Sequence, residues 1–260
     1  KPSLQLRENF TKDDLAKRDI LVCGGTGCSS SDSMEIIENL KSEIEKAGLS
    51  DHAEVQLTGC FGFCAKGPIV KVYPDNVFYI QVTPEDAREI VQEHILNHRV
   101  VERLLFEEPA LDHKKVERHD EMSFYKKQCR VALRNCGHIN PENINEYIGN
   151  DGYVALGKCL TELKPEDVIA EVKTSGLRGR GGAGFPTGVK WESTANTAPG
   201  NKYVVCNADE GDPGAFMDRS VLEGDPHSVL EAMAICGYSI GADSGYTRMY
   251  GLTPDERITV

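Results

Sequence analysis

From Arg18 onward, short apolar runs alternate with amphipathic stretches. Ile20-Leu21-Val22 breaks at Cys23 and predicts a short buried strand. Residues 31–47 repeat apolar positions at helical spacing and stop at Gly48, which predicts an amphipathic helix. Residues 54–57 alternate as a strand and run into Cys60. Residues 69–73 and 77–82 predict two strands around the turn Pro74-Asp75-Asn76, and Pro84 opens a helix carrying Ala87, Ile90, Val91 and Ile95. The resulting order is β-α-β-β-β-α.

Residues 99–122 are charge-dense, carry Pro109 and predict an inter-domain linker, with His98, His113 and His119 as solvated surface residues. Helices are then expected over residues 124–135, 143–148, 153–160 and 164–174, the last with Pro165 at its first position. Tyr203-Val204-Val205-Cys206 predicts a buried strand. Asp225 and Pro226 form an N-cap and first-turn pair for a helix running to Cys236 and ending at Gly237. Residues 1–18 are polar and read as an extension or short helix. The fold class is therefore α/β (α+β), divided into residues 1–98, a linker 99–122, a second domain 123–246 and a tail 247–260.

Composition narrows the function. A chain of 260 residues with 40% hydrophobic residues can bury the cores of two domains. The net charge of −12 argues against nucleic acid and against an anionic membrane surface. With no run of 18 apolar residues and no signal peptide, a soluble, cytoplasmic protein is expected. Nine cysteines without a secretory signal suit a reducing compartment, where spacing implies metal or redox sites before disulfides. The chain begins at Lys1 without methionine, so the N-terminus is expected to lie upstream.

Three stretches carry candidate chemistry. Cys23-x4-Cys28 and Cys60-x3-Cys64 follow the first two strands, in loops crowded by Gly24, Gly25, Gly27, Gly59 and Gly62. Four thiolates suit zinc or an iron–sulfur cluster; structural zinc usually uses tighter C-x2-C pairs, and these wider spacings favour a cluster. Cys129, Cys136 and Cys159 form no ligand set and read as buried filler, as do Cys206 and Cys236 in the core. In the second stretch, GLRGRGGAGFPTGVKW, six of the thirteen residues from Gly176 to Gly188 are glycine. Successive backbone amides in such a loop make a nest for anions, and Arg178, Arg180 and Lys190 complement phosphate. A flexible linker is the alternative, although linkers rarely carry aromatics and several cations. Gly179-x-Gly181-x-x-Gly184 matches the dinucleotide fingerprint formally, but a helix precedes it where a strand should. The third stretch runs from Asn207 through Asp209, Glu210 and Asp212 to Phe216. Its carboxylates miss calcium-loop spacing; they suit sugar hydroxyls, as Asn207 suits a heterocycle edge, and the alternative is a solvated acidic turn.

Together, GLRGRGGAGFPTGVKW and CNADEGDPGAF resemble the FMN- and NADH-binding, 51 kDa-type flavoprotein subunits of complex I. They are closer still to those of soluble NAD(P)-linked [FeFe]-hydrogenases and formate dehydrogenases. The four-cysteine domain resembles the thioredoxin-like [2Fe-2S] ferredoxins. The resemblance implies that Cys23, Cys28, Cys60 and Cys64 ligate a [2Fe-2S] cluster. It implies FMN on Gly179, Arg180, Gly181 and Gly182, with Arg180 and Lys190 near phosphate and Asn207, Asp209 and Glu210 on the ring and ribityl chain. NADH, or NADPH, would stack near Phe185 with Lys190 and Asp212 in reach. No catalytic acid, base or nucleophile is implied. Ser193 replaces an aromatic residue that the family often has there. Residues 247–260 depart from the family pattern, and the rest of the flavin fold, a ubiquitin-like domain and a C-x2-C-x2-C [4Fe-4S] motif are absent, as in a truncated product or fragment. The implied partners are NADH and iron–sulfur subunits of a hydrogenase, formate dehydrogenase or complex I-like assembly, without nucleic acid or membrane insertion. The alternatives are the flavoprotein (F) component of a respiratory NADH-quinone oxidoreductase, a ferredoxin-like carrier or assembly protein with a degenerate flavin domain, and a zinc-binding interaction module.

Overall fold

The computed structural model of the chain describes residues 17–212 and 214–249. The expected extension up to residue 16, Pro213 and the tail from residue 250 lie outside the described residues. The chain divides into two compact units, one running to Glu146 and including Ser220–Asp225, the other made of Tyr147–Arg219 and the chain from Pro226.

The first unit is built on a four-stranded sheet of order β2-β1-β3-β4, with β1 Arg18–Cys23, β2 Ala53–Thr58, β3 Val70–Tyr73 and β4 Val77–Tyr79. β1 pairs parallel to β2 and antiparallel to β3, so it is central, and Ile20 and Val22 are fully buried. The parallel β1–β2 pair requires a crossover, supplied by α1 (Ser33–Lys46). Ile36, Ile37, Leu40 and Ile44 form its buried stripe against the sheet. Its end is the one that Gly48 predicts. Gly48 adopts φ +69°, its amide bonds the Glu45 carbonyl, and the Leu49 amide bonds that of Ile44. This is the paired closure of a left-handed C-terminal cap. β4 is shorter than expected because the amides of Ile80, Gln81 and Val82 leave the ladder for the carbonyls of Leu104, Lys66 and Pro68. α2 (Asp86–Glu89) continues as a π-helix over Ile90–Leu96 and places Ala87, Ile90, Val91 and Ile95 in the core.

The stretch read as a linker is folded. Val101, Leu104 and Leu105 complete the core beside the sheet. β5 (Phe106–Glu108) pairs with β6 (Lys114–Val116), and Phe106, Val116 and Met122 join a second core around Phe61 and Phe78. Its short apolar run Leu104-Leu105-Phe106 is masked in the sequence by the surrounding charges, of which Glu108 is itself buried and accepts from the Ser123 amide and hydroxyl at 2.7 and 2.9 Å. The helix expected over residues 124–135 reduces to α3 (Ser123–Lys126), followed by turns. Val131 is 69% exposed, so no buried stripe supports a longer helix.

In the second unit, β7 (Tyr203–Ala208) pairs in parallel with β8 (Ser244–Met249). α9 (Pro226–Ile240) crosses over between them, after α8 (Met217–Gly224). α4 (Ile144–Gly149), α5 (Val154–Glu162), α6 (Pro165–Thr174) and α7 (Thr187–Ala195) precede them. α9 passes through Gly237, where a stop is expected, and ends before Gly241 at φ +73°. A Cβ on Gly237 would lie 3.3 Å from the Ala242 carbonyl oxygen and 3.8 Å from Val204, so this glycine serves close packing against β7. Buried Glu231 on α9 accepts from Tyr147 Oη at 2.6 Å and from the amides of Tyr153 and Leu156 at 2.9 and 3.1 Å. These three donors satisfy its carboxylate and tie α9 to α4 and α5.

Candidate cofactor sites

Cys23 ends β1, and Cys28 sits in the single helical turn Thr26–Ser29 that follows. Cys60 and Cys64 lie in the loop after β2. Cys23, Cys28 and Cys60 are buried and Cys64 is exposed. The sulfurs of Cys60 and Cys64 are 4.0 Å apart, and the Gly62 amide donates to Cys60 Sγ at 3.3 Å. Backbone lies close to the thiols where glycine permits it. A Cβ on Gly25 would be 2.9 Å from Cys60 Sγ, and one on Gly67 2.7 Å from Cys28 Sγ. Gly59, by contrast, packs against Cys136 and Gly224 rather than against the ligand set.

As thiols, these groups hold one another's protons. Cys23 is pushed up to about 12, first by its hydrogen bond with Cys28, and that same bond is the chief cause that lowers Cys28. Cys60 is raised, first by its hydrogen bond with Cys23 and then by burial; Cys64 is raised, chiefly by burial. A coordinated metal removes such protons outright, which is the chemistry this crowded thiol set suits. Among the described residues, no three His, Cys, Asp or Glu side chains surround one ion position. The thiols form a continuous set, Cys28 against Cys23, Cys23 against Cys60 and Cys60 against Cys64, and such a set can supply two thiolates to each iron of a two-iron cluster.

In the second unit, the glycine-rich loop is a hairpin leading into α7. The Gly179 amide bonds the Phe185 carbonyl at 2.9 Å, Arg178 Nε donates to the Gly184 carbonyl at 2.6 Å, and Gly184 takes φ +53°. The amides of residues 180–183 have no hydrogen-bond partner among the described residues, as an anion nest requires. A Cβ on Gly181 or Gly182 would meet nothing within 4 Å. Arg180 and Lys190 are exposed and make no ion pair among the described residues, whereas Arg178 braces the loop. Phe185 is half-exposed at its end. Behind the loop, Lys173 Nζ of α6 reaches both oxygens of Glu192 on α7 at 2.9 Å. Gly188 lets these helices meet, since a Cβ there would lie 2.7 Å from the Lys173 amide nitrogen.

The acidic loop follows the carboxyl end of β7, where open α/β sheets grip ligands. Asn207 Oδ1 accepts from the Asp209 amide at 3.1 Å, and Asp209 and Asp212 are exposed. Glu210 has a structural engagement that spacing does not reveal. Its carboxylate accepts from the amides of Met217, Asp218 and Arg219 at 2.6, 3.1 and 3.2 Å, and so caps the start of α8. Desolvation pushes its carboxyl up, but the three amides outweigh it and hold the group below the usual range.

Several expectations are corrected. His119 is not solvated: its ring stacks on Phe78 at 5.4 Å, its Nδ1 is buried without a partner, and burial pushes it down to about 4. Cys129 is exposed, and Cys206 and Cys236 are only partly buried, while Cys136 and Cys159 are buried as expected. Gly67, Tyr125 and Arg130 also touch the cysteine site and escape the sequence reading. Their contacts are made through bare backbone or to carbonyl oxygens, which leave no local motif.

Residues 172–256 match the family model of the Nuo51 FMN-binding domain, and residues 7–94 that of thioredoxin-like [2Fe-2S] ferredoxins. The FMN-domain match thus extends beyond Tyr246, and β8 likewise continues through Thr247. The NADP-reducing hydrogenase subunit HndC of Solidesulfovibrio fructosivorans is 63% identical over 120 residues, covering 46% of this chain and 24% of that protein. The F component of the NADH-quinone oxidoreductase of Aquifex aeolicus is 48% identical over 124 residues, 48% of this chain and 29% of that protein. The NAD-reducing hydrogenase HoxS subunit alpha of Cupriavidus necator is 49% identical over 96 residues, 37% of this chain and 16% of that protein. The chain spans less than a third of the length of each of these relatives.

Proposed function

From the matches of residues 172–256 to the Nuo51 FMN-binding domain and of residues 7–94 to the thioredoxin-like [2Fe-2S] ferredoxins, we propose that this chain is a flavoprotein of the complex I 51 kDa type, an electron-transfer subunit working between NAD(H), FMN and iron–sulfur clusters. The observation that carries this reading is the pairing, in one chain, of a cluster of four thiols, three of them buried, with a glycine-rich anion loop. Bound FMN supplies the exchange of the two electrons that arrive as hydride for the single electrons an iron–sulfur cluster accepts. The chain's own share is to bind, orient and tune. Cys23, Cys28, Cys60 and Cys64 hold the [2Fe-2S] cluster. Gly179, Gly181 and Gly182 leave room for FMN; the free amides of residues 180–183, with Arg180 and Lys190, take its phosphate. Asn207 and Asp209 face the ring and ribityl chain, and Glu210 acts through the cap that fixes their loop. Phe185 stacks NADH, with Lys190 and Asp212 in reach.

The partners are the iron–sulfur subunits of a hydrogenase or a related dehydrogenase, in a reducing, cytoplasmic setting. The nine free cysteines support that setting. No helix among the described residues is long and apolar enough to cross a membrane.

One observation favours a second reading, a ferredoxin-like carrier with a degenerate flavin domain. Among the described residues β7 pairs only with β8, and Tyr203 and Val205 on one face are exposed. Iron analysis and flavin titration separate the two. The first reading predicts a brown protein that quenches added FMN saturably, and NADH that then bleaches the bound flavin. Iron without saturable flavin binding would leave the carrier, and zinc in place of iron would reject both.

A further inference from the structure

The loop that carries Cys60 is held by residues that follow the four-cysteine domain. Arg130 Nη2 donates to the Cys60 carbonyl oxygen at 2.7 Å, and Tyr125 Oη donates to the Phe61 carbonyl oxygen at 2.9 Å. The same segment grips the loop at its start, where Thr58 Oγ1 donates to the Ile139 carbonyl at 2.7 Å and accepts from the Gly137 amide at 3.0 Å. Gly137, at φ +83°, packs so closely on Phe61 that a Cβ would lie 2.5 Å from the ring. Thr58, Cys60 and Phe61 are thus fixed by residues 125–139, beyond the 7–94 span of the ferredoxin match.

Arg130 differs from the arginines at 18, 99, 103 and 118. Each of those pairs with a carboxylate, whereas Arg130 makes no ion pair among the described residues. Its charge is felt nearby, because it helps to push His119 down and opposes the upward shift of Tyr125. Four thiolates on a two-iron cluster carry excess negative charge, and reduction adds another electron to it. A fixed, partly buried cation stabilises that added charge more than it would in water.

We propose that Arg130 is a positioning residue for the [2Fe-2S] cluster, fixing the Cys60–Phe61 backbone together with Tyr125 and raising the cluster's reduction potential through its unpaired charge. This rests on the assignment of the four cysteines as ligands. The test is an EPR-monitored redox titration of the 260-residue chain, with iron content, for wild type, Arg130→Gln, Arg130→Lys and Tyr125→Phe. At a fixed solution potential, Arg130→Gln should lower the reduced-to-oxidised ratio about tenfold, a shift of about 59 mV for a one-electron couple. Arg130→Lys keeps the charge and should stay near wild type, and Tyr125→Phe should move the midpoint less than Arg130→Gln. An intact cluster with an unmoved midpoint in Arg130→Gln overturns the proposal. If that variant sheds its iron, the lysine variant decides. Iron held at the wild-type midpoint supports the charge, and iron lost there too overturns it. A wild-type chain with neither iron nor signal overturns the ligand assignment beneath it.

Discussion

Gly182 and Lys190 probe the flavin loop without touching the fold. Nothing lies within 4 Å of a Cβ built on Gly182, and its φ is not in the left-handed region, so the strain expected of a branched side chain there is absent from the protein itself. Gly182→Val should leave the melting temperature unchanged and abolish FMN binding, because only the ligand would meet the new side chain. Lys190→Ala should weaken FMN or nucleotide binding by about 1–3 kcal/mol, the range for a charge-assisted contact. Full FMN affinity in both variants by fluorescence titration would remove the loop from the site. At this scale the clustering of Cys23, Cys28, Cys60 and Cys64 and the glycine loop are legible because their spacing is local. Glu210 is only half legible, since its partners, the amides of residues 217–219, become visible only when α8 is in place. His119 carries a pH signature. Its ordinary value of 6.5 falls to about 4 through burial first and then the Lys71 charge. Between those values the unfolded chain binds the proton and the folded one does not. The stability involved is therefore complete above pH 6.5 and is lost as pH falls towards 4. Urea unfolding at pH 7.5 and 5 should show a smaller loss for His119→Phe than for wild type; identical losses would place the ring in solvent.

Elements are legible where burial and periodicity coincide, as in β1, α1 and β2, and obscure where side chains reach across the fold. Residues 124–135 have helical propensity, yet Tyr125 and Arg130 are drawn to carbonyls of the cysteine loop, and Cys136 is buried against Gly59. Such tertiary contacts outweigh propensity differences of a few tenths of a kcal/mol per residue. The charge-dense stretch after residue 98 hides Val101, Leu104, Leu105, Phe106, Val116 and Met122, all buried. At about 1.5–3 kcal/mol for each buried side chain, their loss rivals the whole stability of a typical domain, about 5–15 kcal/mol. A fragment of residues 1–98 should therefore melt lower and lose iron on desalting, while residues 1–146 should retain it. Equal melting temperatures and iron contents would restore the linker reading.

On the scale of the whole molecule, the two sites differ in how they are enclosed. Cys23, Cys28 and Cys60 are buried and flanked by the second core of the first unit, whereas residues 176–183 are exposed and the Tyr203–Val205 face of β7 is bare. The 260-residue chain should accordingly hold iron firmly and FMN loosely, keeping iron through desalting but requiring added flavin for NADH-dependent reduction. The −12 charge adds self-repulsion and disfavours anions at long range, so attraction for an anionic phosphate falls to local groups, the free amides of residues 180–183 with Arg180 and Lys190. In the proposed reading one chain joins a [2Fe-2S] centre to a flavin site, and the reading stands or falls first on Cys23, Cys28, Cys60 and Cys64 as ligands. The most direct test is EPR of the dithionite-reduced chain, with iron and acid-labile sulfide, for wild type, Cys60→Ala and Cys159→Ala. Wild type and Cys159→Ala should show about two irons, about two sulfides and one S = 1/2 signal, and Cys60→Ala should lose or alter that signal. An unchanged spectrum in Cys60→Ala, or zinc in place of iron in wild type, would contradict the account.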